Sequence, residues 1–311
     1  MRVIFCGTPQ FAVPTLKRLL AEGFAVELVL TNPDEPRGRG EKLTPPPVKT
    51  VATEAGLEIY QPKRLTEPTT VEFLSKFRPD TMVVIAYGHI LPKWMIDLPR
   101  VGCINLHASL LPKYRGAAPI QWALINGEQV TGVTTMMIDP GLDTGDILLQ
   151  RKVDIREDDT SETLSRRMSE LGAELMVETL RRLDHGVITP QAQDHTLATL
   201  APMLKKEDGR IDWNLPAQAI SWRVRGLALW PGAFSTFRGK NLHFWSAAPL
   251  AVPVPPGHEP GALIARGGVL WVVCGEETVL EVKELQVEGR KRLHAREFLN
   301  GIRLGPGERL L

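Results

Sequence analysis

The feature that most limits the fold of this chain is the alternation of short apolar runs with amphipathic helical segments through residues 1–188. The run Arg2–Cys6 passes through a turn at Gly7 into an amphipathic helix, which is how a nucleotide-binding α/β domain begins. Continuous apolar runs such as Asp80–Ala86 are typical of parallel strands buried on both faces. The pattern predicts a doubly wound, mostly parallel, Rossmann-like sheet that binds ligands at the carboxyl ends of its strands.

The sequence pattern changes near Ile211, where short β-like runs separated by Gly and Pro follow a single helix. This pattern predicts a smaller, OB-like β-barrel, a fold that commonly binds nucleic acid. The residues that precede it lose their periodicity. We therefore predict an α/β domain at 1–188, a linker at 189–207 and a β-barrel domain at 208–311.

Charge and composition narrow the class of protein. Residues 1–204 carry 22 Lys+Arg against 25 Asp+Glu, whereas residues 205–311 carry 15 against 11. The basic excess of the second part has the sign that a nucleic-acid partner needs, but an ordinary solvated surface would also explain it. No apolar run approaches the ~18 residues that span a membrane, and no leader precedes the first strand, so a cytoplasmic protein is expected. The three cysteines lack CxxC spacing and predict neither disulfides nor a metal site.

Three polar residues in the stretch Val101–Ile147 point to acyl transfer to an amine. Asn105 and His107 are two residues apart on a predicted strand, so their side chains share one face. Asp143 lies in a glycine-rich loop that could fold back over this pair. An amide and an imidazole can stabilise the oxyanion of a tetrahedral centre, while a carboxylate can orient the imidazole and stabilise its charged form. No nucleophilic side chain is required, because the amine is itself the nucleophile.

Structural alternatives stand beside these functional hypotheses. An isolated histidine is more often a satisfied core residue, and Asp143 could instead form a local Asx turn. Ser109 lies outside a G-x-S-x-G elbow, which argues against a serine hydrolase. The single Gly7 does not make a G-x-G-x-x-G fingerprint, which argues against a nicotinamide-dependent oxidoreductase.

The segment Asn32–Pro47 is too rich in Pro, Gly and charge to predict regular structure. Its Arg37-Gly-Arg39-Gly tip suits phosphate contact, although a solvated loop is the simpler interpretation. Two further basic groups, Lys205-Lys206 and Arg290-Lys291-Arg292, are modest signals of the same kind.

Asn105-Leu-His107, followed by Ser109–Gly116 and by the loop around Asp143, resembles the signature of the folate-dependent formyltransferases. The match runs through the whole chain, which is most similar to the members that formylate initiator methionyl-tRNA. The resemblance implies that Asn105, His107 and Asp143 are catalytic and that 10-formyltetrahydrofolate is the formyl donor. The residues that it implies for folate binding are Ala86, Tyr87, Gly88, Ser109, Leu110, Leu111, Pro112, Gly141 and Leu142.

The resemblance also implies a monomeric enzyme of translation initiation whose partner is initiator methionyl-tRNA. In similar proteins the loop equivalent to Asn32–Pro47 wedges against the acceptor stem of that tRNA. The residues predicted to contact RNA are Arg37, Arg39, Lys42, Lys205, Lys206, Arg290, Lys291 and Arg292.

Two alternatives remain open at this point. The nearest keeps the chemistry and changes the acceptor to a small amine, either glycinamide ribonucleotide or an amino-sugar nucleotide. The additional domain Ile211–Leu311 argues against glycinamide ribonucleotide, since formyltransferases of the purine pathway consist mainly of the catalytic domain. The other is a non-catalytic RNA-binding protein with a degenerate enzyme domain, against which the complete Asn105, His107 and Asp143 set speaks.

Overall fold

The structure is a computed structural model, and it describes residues 1–37 and 42–311. Contacts within the chain divide it into two units. The first unit comprises Met1–Pro119, Val130–Asp154 and Ser165–Ala201. The second comprises Ile120–Gln129, Ile155–Leu164 and Pro202–Leu311. The domain limits 1–188, 189–207 and 208–311 stay a prediction.

The strands of the first unit are short, and most are buried on both faces. Their bounds are β1 Arg2–Gly7, β2 Ala25–Leu30, β3 Glu35–Arg37, β4 Lys42–Thr44, β5 Ile59–Tyr60, β6 Thr81–Ile85, β7 Gly102–His107, β8 Val130–Met137 and β9 Ile147–Asp154. The main sheet has the order β5-β2-β1-β6-β7-β8-β9. The first five of these run parallel, while β8 is antiparallel to both β7 and β9. The chain winds outward from β1 in both directions, which confirms the predicted doubly wound sheet and places its switch point between β1 and β6.

Amphipathic helices follow the strands, as the 3.6-residue periodicity predicts. Their bounds are α1 Val13–Ala21, α2 Pro47–Glu54, α3 Pro68–Leu74, α4 Lys93–Ile96, α5 Pro119–Ile125, α6 Ser161–Asp184, α7 Ala217–Gly226 and α8 Ala295–Gly301. Helix α6 buries an apolar stripe that includes Met168, Leu175 and Met176. At Gly172 a Cβ would lie 2.5 Å from Leu106 Cδ2, so this glycine lets α6 approach β7 closely.

The expectation that Asn32–Pro47 lacks regular structure is wrong for part of that segment. Strands β3 and β4 pair antiparallel, with Pro36 opposite Leu43 and Arg37 opposite Lys42. A two-stranded hairpin consists of two edges, so a proline can occupy a position where its missing N–H is not needed. Arg39, at the predicted tip, lies outside the described residues, and for Arg37 and Lys42 the structure describes the backbone alone.

The second unit contains an antiparallel sheet, in agreement with the predicted β domain. Its strands are β10 Ala233–Phe237, β11 Lys240–Leu250, β12 Leu263–Arg266, β13 Val269–Cys274, β14 Thr278–Val287 and β15 Leu293–His294. The order is β10-β11-β14-β13-β12, and β15 pairs with β14. In the described chain no ladder joins the edge strands β10 and β12 directly.

The C-terminal tail bonds to both edges of this sheet. Leu311 exchanges backbone hydrogen bonds with Thr236 of β10, at 2.9 and 3.1 Å. Leu310 N donates to Gly261 O at 2.9 Å, and Leu263 N at the start of β12 donates to Glu308 O at 2.9 Å. The tail thus occupies the gap that a closing strand of a barrel would fill.

Within the described ranges, no helix combines the length and the apolar character needed to cross a membrane.

Candidate active site

The carboxyl ends of the central parallel strands meet at one edge of the sheet, where open α/β folds bind their ligands. Thr8 follows β1, and its hydroxyl donates to Tyr87 O at 3.2 Å and accepts from Asn32 N at 3.4 Å. Tyr87 follows β6 and Asn32 follows β2, so one hydroxyl connects three strand ends. This edge is therefore held together by specific hydrogen bonds.

The turn after β6 carries three of the predicted folate residues. Ala86 has a φ of 45° and Gly88 a φ of 85°, so the chain bends sharply through the left-handed region at both positions. Tyr87 between them is 2% exposed, and burial raises the pKa of its phenol because the charged form would lose its hydration. Since the Tyr87 ring packs in the core, any ligand contact from this turn must come from Ala86, Gly88 and the backbone.

Asn105 lies near the end of β7, between Val84 of β6 and Met136 of β8. Its side chain is half-buried, and its amide forms no hydrogen bond with any group that the structure describes. Polar groups in such surroundings normally have partners, so an amide without one is available to a ligand.

His107 is buried, with 6% of its surface exposed, and its ring is held from two sides. Nε2 lies 2.9 Å from Tyr114 O, and because a carbonyl can only accept, Nε2 carries the hydrogen. Nδ1 lies 3.7 Å from Asp143 Oδ2. A proton on Nδ1 would therefore face the Asp143 carboxylate. The sequence alone did not reveal that the Tyr114 carbonyl orients the ring.

The Asp143 carboxylate is directed away from its own loop. Its Oδ2 accepts from Gly116 N at 2.9 Å, a contact across 27 residues of chain. The local Asx turn belongs to Asp139 instead, which accepts from Gly141 N at 3.0 Å and from Thr144 Oγ1 at 2.7 Å. The loop geometry thus favours a role for Asp143 in the site over the alternative of a local turn.

The turn 109–112 follows β7 and is fixed by neighbouring side chains. Thr134 Oγ1 donates to Ser109 O at 2.6 Å and accepts from Leu111 N at 3.2 Å. Gln150 Nε2 donates to Leu111 O at 2.9 Å. These bonds occupy several backbone groups of residues that were predicted to bind folate, although each carbonyl oxygen retains a second lone pair. Sequence reasoning missed both Thr134 and Gln150.

Gly141 and Leu142 are exposed on the loop that carries Asp143. Leu142 is 64% exposed, so it offers an apolar surface beside the catalytic candidates. A Cβ at Gly141 would lie 1.9 Å from Thr144 Oγ1, which explains the glycine structurally.

The residues predicted to contact RNA differ in whether their charges are paired within the protein. Lys205, Lys206, Arg290 and Lys291 are exposed and form no ion pair with any residue that the structure describes. Arg292 instead pairs with Glu284, and its guanidinium lies 5.0 Å from the ring centre of Trp245. Its charge is partly neutralised within the protein.

Two residues that the sequence did not single out lie against the Asp143 loop. Gln193, within the predicted linker, is 6% exposed, and Arg115 is 7% exposed. Gln193 Nε2 donates to Asp143 O at 2.9 Å, and its Oε1 accepts from Arg115. No periodicity marks a single buried glutamine in an irregular segment.

Comparison with known families gives two matches that together cover most of the chain. Residues 1–180 match the family described as formyl transferase. Residues 203–303 match the family described as formyl transferase, C-terminal domain.

Two full-length relatives carry the same name. A methionyl-tRNA formyltransferase of Koribacter versatilis is 52% identical over 313 residues, covering 100% of this chain and 98% of the relative. A methionyl-tRNA formyltransferase of Solibacter usitatus is 52% identical over 310 residues, with the same coverage of both chains.

A solved structure shares the fold at low sequence identity. It is an N-formyltransferase from Helicobacter canadensis, in complex with folinic acid and dTDP-3-aminofucose. The TM-score is 0.68 at 17% identity, over 90% of this chain and 98% of the other.

Proposed function

The chain belongs to the formyl transferase family, and from that premise we propose that it formylates initiator methionyl-tRNA. The formyl group comes from 10-formyltetrahydrofolate, and the product is N-formylmethionyl-tRNA for translation initiation. The observation that carries this proposal is the 52% identity, over the whole chain, to relatives named methionyl-tRNA formyltransferase. A match to the formyl transferase C-terminal domain over residues 203–303 supports it.

The site residues fit a folate donor. Among the residues that the structure describes, neither the Asn105 amide nor the buried Asn32 Oδ1, after β2, has a hydrogen-bond partner. Leu142, next to Asp143 in the chain, adds exposed apolar surface. Ala86, Tyr87, Gly88 and the turn 109–112 complete the proposed folate-binding residues, together with Gly141.

In the reaction, the α-amino nitrogen of methionine forms a bond to the formyl carbon, and the bond from that carbon to the folate nitrogen breaks. The amine loses one proton, and the folate nitrogen gains one. Asn105 stabilises the negative oxygen of the tetrahedral centre by donating from its amide. His107 contributes to the same stabilisation. Asp143, 3.7 Å from His107 Nδ1, stabilises a protonated imidazole and accepts the amine proton.

The RNA is held by exposed basic residues. Lys205 and Lys206 lie at the start of a short 3-10 helix, and Arg290, Lys291 and Arg292 form the turn that leads into β15. Arg37 of β3 and Lys42 of β4 are proposed as further contacts, and so is Arg39. Cationic side chains bind phosphate irrespective of base sequence, so these residues supply affinity and orientation.

We further propose that the enzyme acts as a monomer in the cytoplasm without contact to a membrane. Sedimentation of the full chain at assay concentration, with and without tRNA, checks the oligomeric state. A stable dimer in the absence of RNA would contradict it.

The experiment that tests the function offers three acceptors to the same enzyme. Purified protein is given 10-formyltetrahydrofolate with methionine-charged initiator tRNA, with glycinamide ribonucleotide, or with an amino-sugar nucleotide. Formylation of the charged tRNA alone is the expected result. Formylation of only a small amine would support the proposed formyl transfer but contradict the proposed tRNA acceptor. Formylation of no acceptor would contradict the proposed enzymatic activity.

A further inference from the structure

The side-chain amide of Gln193 uses all of its hydrogen-bonding capacity inside the protein. Nε2 donates to Asp143 O at 2.9 Å and to Gly145 O at 2.7 Å. Oε1 accepts from Arg115 Nε at 3.2 Å and from Arg115 Nη2 at 2.6 Å. An amide has two donor hydrogens and two acceptor lone pairs, so each is matched once.

The orientation of this amide is fixed by chemistry. A flipped amide would direct its oxygen at two carbonyl oxygens and its NH2 group at a guanidinium, which can only donate. Gln193 is 6% exposed, so water cannot replace the lost partners at low cost. One end of Gln193 therefore holds the Asp143 loop, and the other end is held by Arg115.

Arg115 is a buried cation with neutral partners. It is 7% exposed, and it forms no ion pair with any residue that the structure describes. Its Nη2 also lies 3.1 Å from His195 Nδ1, which must accept because the guanidinium has no lone pair to offer. A buried charge needs such fixed dipoles around it, so Arg115 and Gln193 restrict each other's position.

The segment that carries Gln193 is anchored on both sides of it. Gln191 exchanges two backbone hydrogen bonds with Ile147 of β9, each 2.8 Å long. Thr199 accepts from Arg115 N at 2.8 Å through its carbonyl and from Tyr114 N at 2.8 Å through its hydroxyl. The two anchors leave Gln193 little freedom to follow the Asp143 loop if that loop moves.

We infer that Gln193, oriented by Arg115, is a positioning residue for formyl transfer that acts through Asp143. Asp143 has a φ of 52°, a left-handed conformation that a non-glycine residue holds only when its surroundings impose it. The bonds from Gln193 Nε2 to Asp143 O and to Gly145 O supply that constraint on either side of Thr144. They keep the Asp143 carboxylate on Gly116 N and beside His107. The inference rests on the proposed function, in which Asp143 takes part in the reaction.

The test is a substitution that changes one end of the amide and preserves the other. In Gln193→Glu the shape and the acceptor facing Arg115 remain, but a carboxylate oxygen replaces Nε2 opposite two carbonyl oxygens. We expect kcat to fall by roughly 100-fold, because a misplacement of about 1 Å has that effect, with KM for donor and tRNA almost unchanged. The matched control is Gln191→Glu, the same substitution on an exposed side chain of the same segment, which should behave like the unsubstituted enzyme.

A double-mutant cycle with Asp143→Asn separates positioning from general stability. If Gln193 acts through Asp143, then Gln193→Glu lowers kcat in the parent enzyme but has little further effect in the Asp143→Asn background. An equal fold-loss in both backgrounds, or a parent-like kcat for Gln193→Glu, would overturn the inference. Should Asp143→Asn itself leave kcat unchanged, the catalytic role in the proposed function fails instead.

A second variant covers the case in which Gln193→Glu does not fold. Arg115→Lys keeps the cation but replaces a forked donor by a single ammonium, which leaves the Gln193 amide less constrained. We expect a smaller loss in kcat, roughly 10-fold, again absent in the Asp143→Asn background. A parent-like kcat for a folded Arg115→Lys would contradict the proposed orienting role of Arg115.

Discussion

Of the three proposed catalytic side chains, Asn105 is the one without a hydrogen-bond partner in the described residues, whereas His107 and Asp143 are both restrained. That difference fits the separate roles proposed for the three residues. A free amide near a strand end can donate to an oxygen that becomes negative during the reaction, without first breaking a bond to the protein. A restrained imidazole and carboxylate keep a fixed geometry for charge stabilisation and proton transfer.

We predict that Asn105→Ala lowers kcat by roughly 100- to 1,000-fold, equivalent to about 3–4 kcal/mol of transition-state stabilisation. The free energy of unfolding should change little, because the amide makes no hydrogen bond within the described protein. Folate binding should also change little, because the amide donates to an oxygen that becomes negative only during the reaction. Single-turnover formyl transfer, donor titration and urea unfolding measure the three quantities. Asn300→Ala, on an exposed face of α8, is the control. Normal turnover combined with a large loss of stability would make Asn105 a structural residue.

The buried thiol of Cys103 predicts how stability responds to alkaline pH. Burial, with a smaller contribution from Asp97, raises the pKa of this thiol from 9.0 to about 12. Above pH 9 the unfolded chain releases a proton that the folded chain retains, so stability is fully present below pH 9 and falls between pH 9 and about 12. The slope approaches about 1.4 kcal/mol per pH unit for one such thiol.

Urea unfolding from about pH 8 to about pH 10.5 measures that slope. Cys103→Ala should lose a constant amount of stability at neutral pH, from the small cavity, and should show a shallower alkaline decline. Cys6, whose pKa burial also raises, contributes in the same direction and remains in the variant. An unchanged slope in Cys103→Ala would mean that its thiol ionises as readily in the folded protein as in the unfolded chain.

The sequence revealed those site residues whose pattern is local. Asn105 and His107 are two positions apart on an apolar strand, and that spacing requires a shared face. Gln193 has no such pattern, since its partners Arg115 and Asp143 lie 78 and 50 residues away in the chain. The partner of His107 Nε2 is a backbone carbonyl, which no side-chain motif encodes. Contacts that depend on tertiary folding alone were therefore not predictable.

At the scale of elements, the loop between β8 and β9 depends on close backbone contact. A Cβ at Gly145 would lie 1.9 Å from Met137 O, and Gly145 O accepts from Gln193. We predict that Gly145→Ala costs roughly 1–3 kcal/mol, because overpacking forces the backbone apart, and that it lowers turnover by displacing Asp143. Urea unfolding and kcat are the measurements.

Gly301→Ala is the matched control for that prediction. Gly301 ends α8, and apart from its chain neighbours and its own helix backbone, a Cβ there would meet no atom of the described residues within 4 Å. Alanine also favours a helix over glycine, so the control should be neutral or slightly stabilising. If Gly145→Ala were equally neutral, the close approach to Met137 would not constrain the loop.

Elements with strong periodicity were predicted well, and short elements were not. Strand β6 differs from the predicted run Asp80–Ala86 by one residue at each end, and β7 contains Asn105 and His107 as predicted. The pairing of β3 with β4 was missed, since both strands have three residues without apolar alternation and β3 includes Pro36. The antiparallel direction of β8 was also not readable, because a buried strand has the same composition in either direction.

At the scale of the whole molecule, the two parts of the chain carry opposite net charge, and the basic part carries the β domain. Residues 205–311 hold 15 Lys+Arg against 11 Asp+Glu. That excess alone fits a solvated surface. It supports RNA binding only where individual cations are unneutralised, because phosphate contact releases counterions from the nucleic acid and imposes a salt dependence. Whether each cation is paired within the protein is therefore more informative than the net charge of the domain.

Lys291 and Arg292 are adjacent in sequence but differ in this respect. Lys291 is exposed and forms no ion pair in the described chain, whereas Arg292 pairs with Glu284 and lies over Trp245. We predict that Lys291→Ala reduces the slope of log affinity for tRNA against log salt by roughly one unit. Arg292→Ala should change that slope less, because Glu284 already balances much of its charge.

Titration of tRNA binding across salt concentration distinguishes the two variants, with Lys283→Ala as the control. Lys283 is an exposed lysine on β14 outside the proposed contacts, and its removal changes the net charge of the chain by the same amount. If all three variants lower affinity equally with one slope, then RNA responds to the overall field of the β domain. A slope change confined to Lys291→Ala would instead place a tRNA phosphate at the turn 290–292 of the β domain.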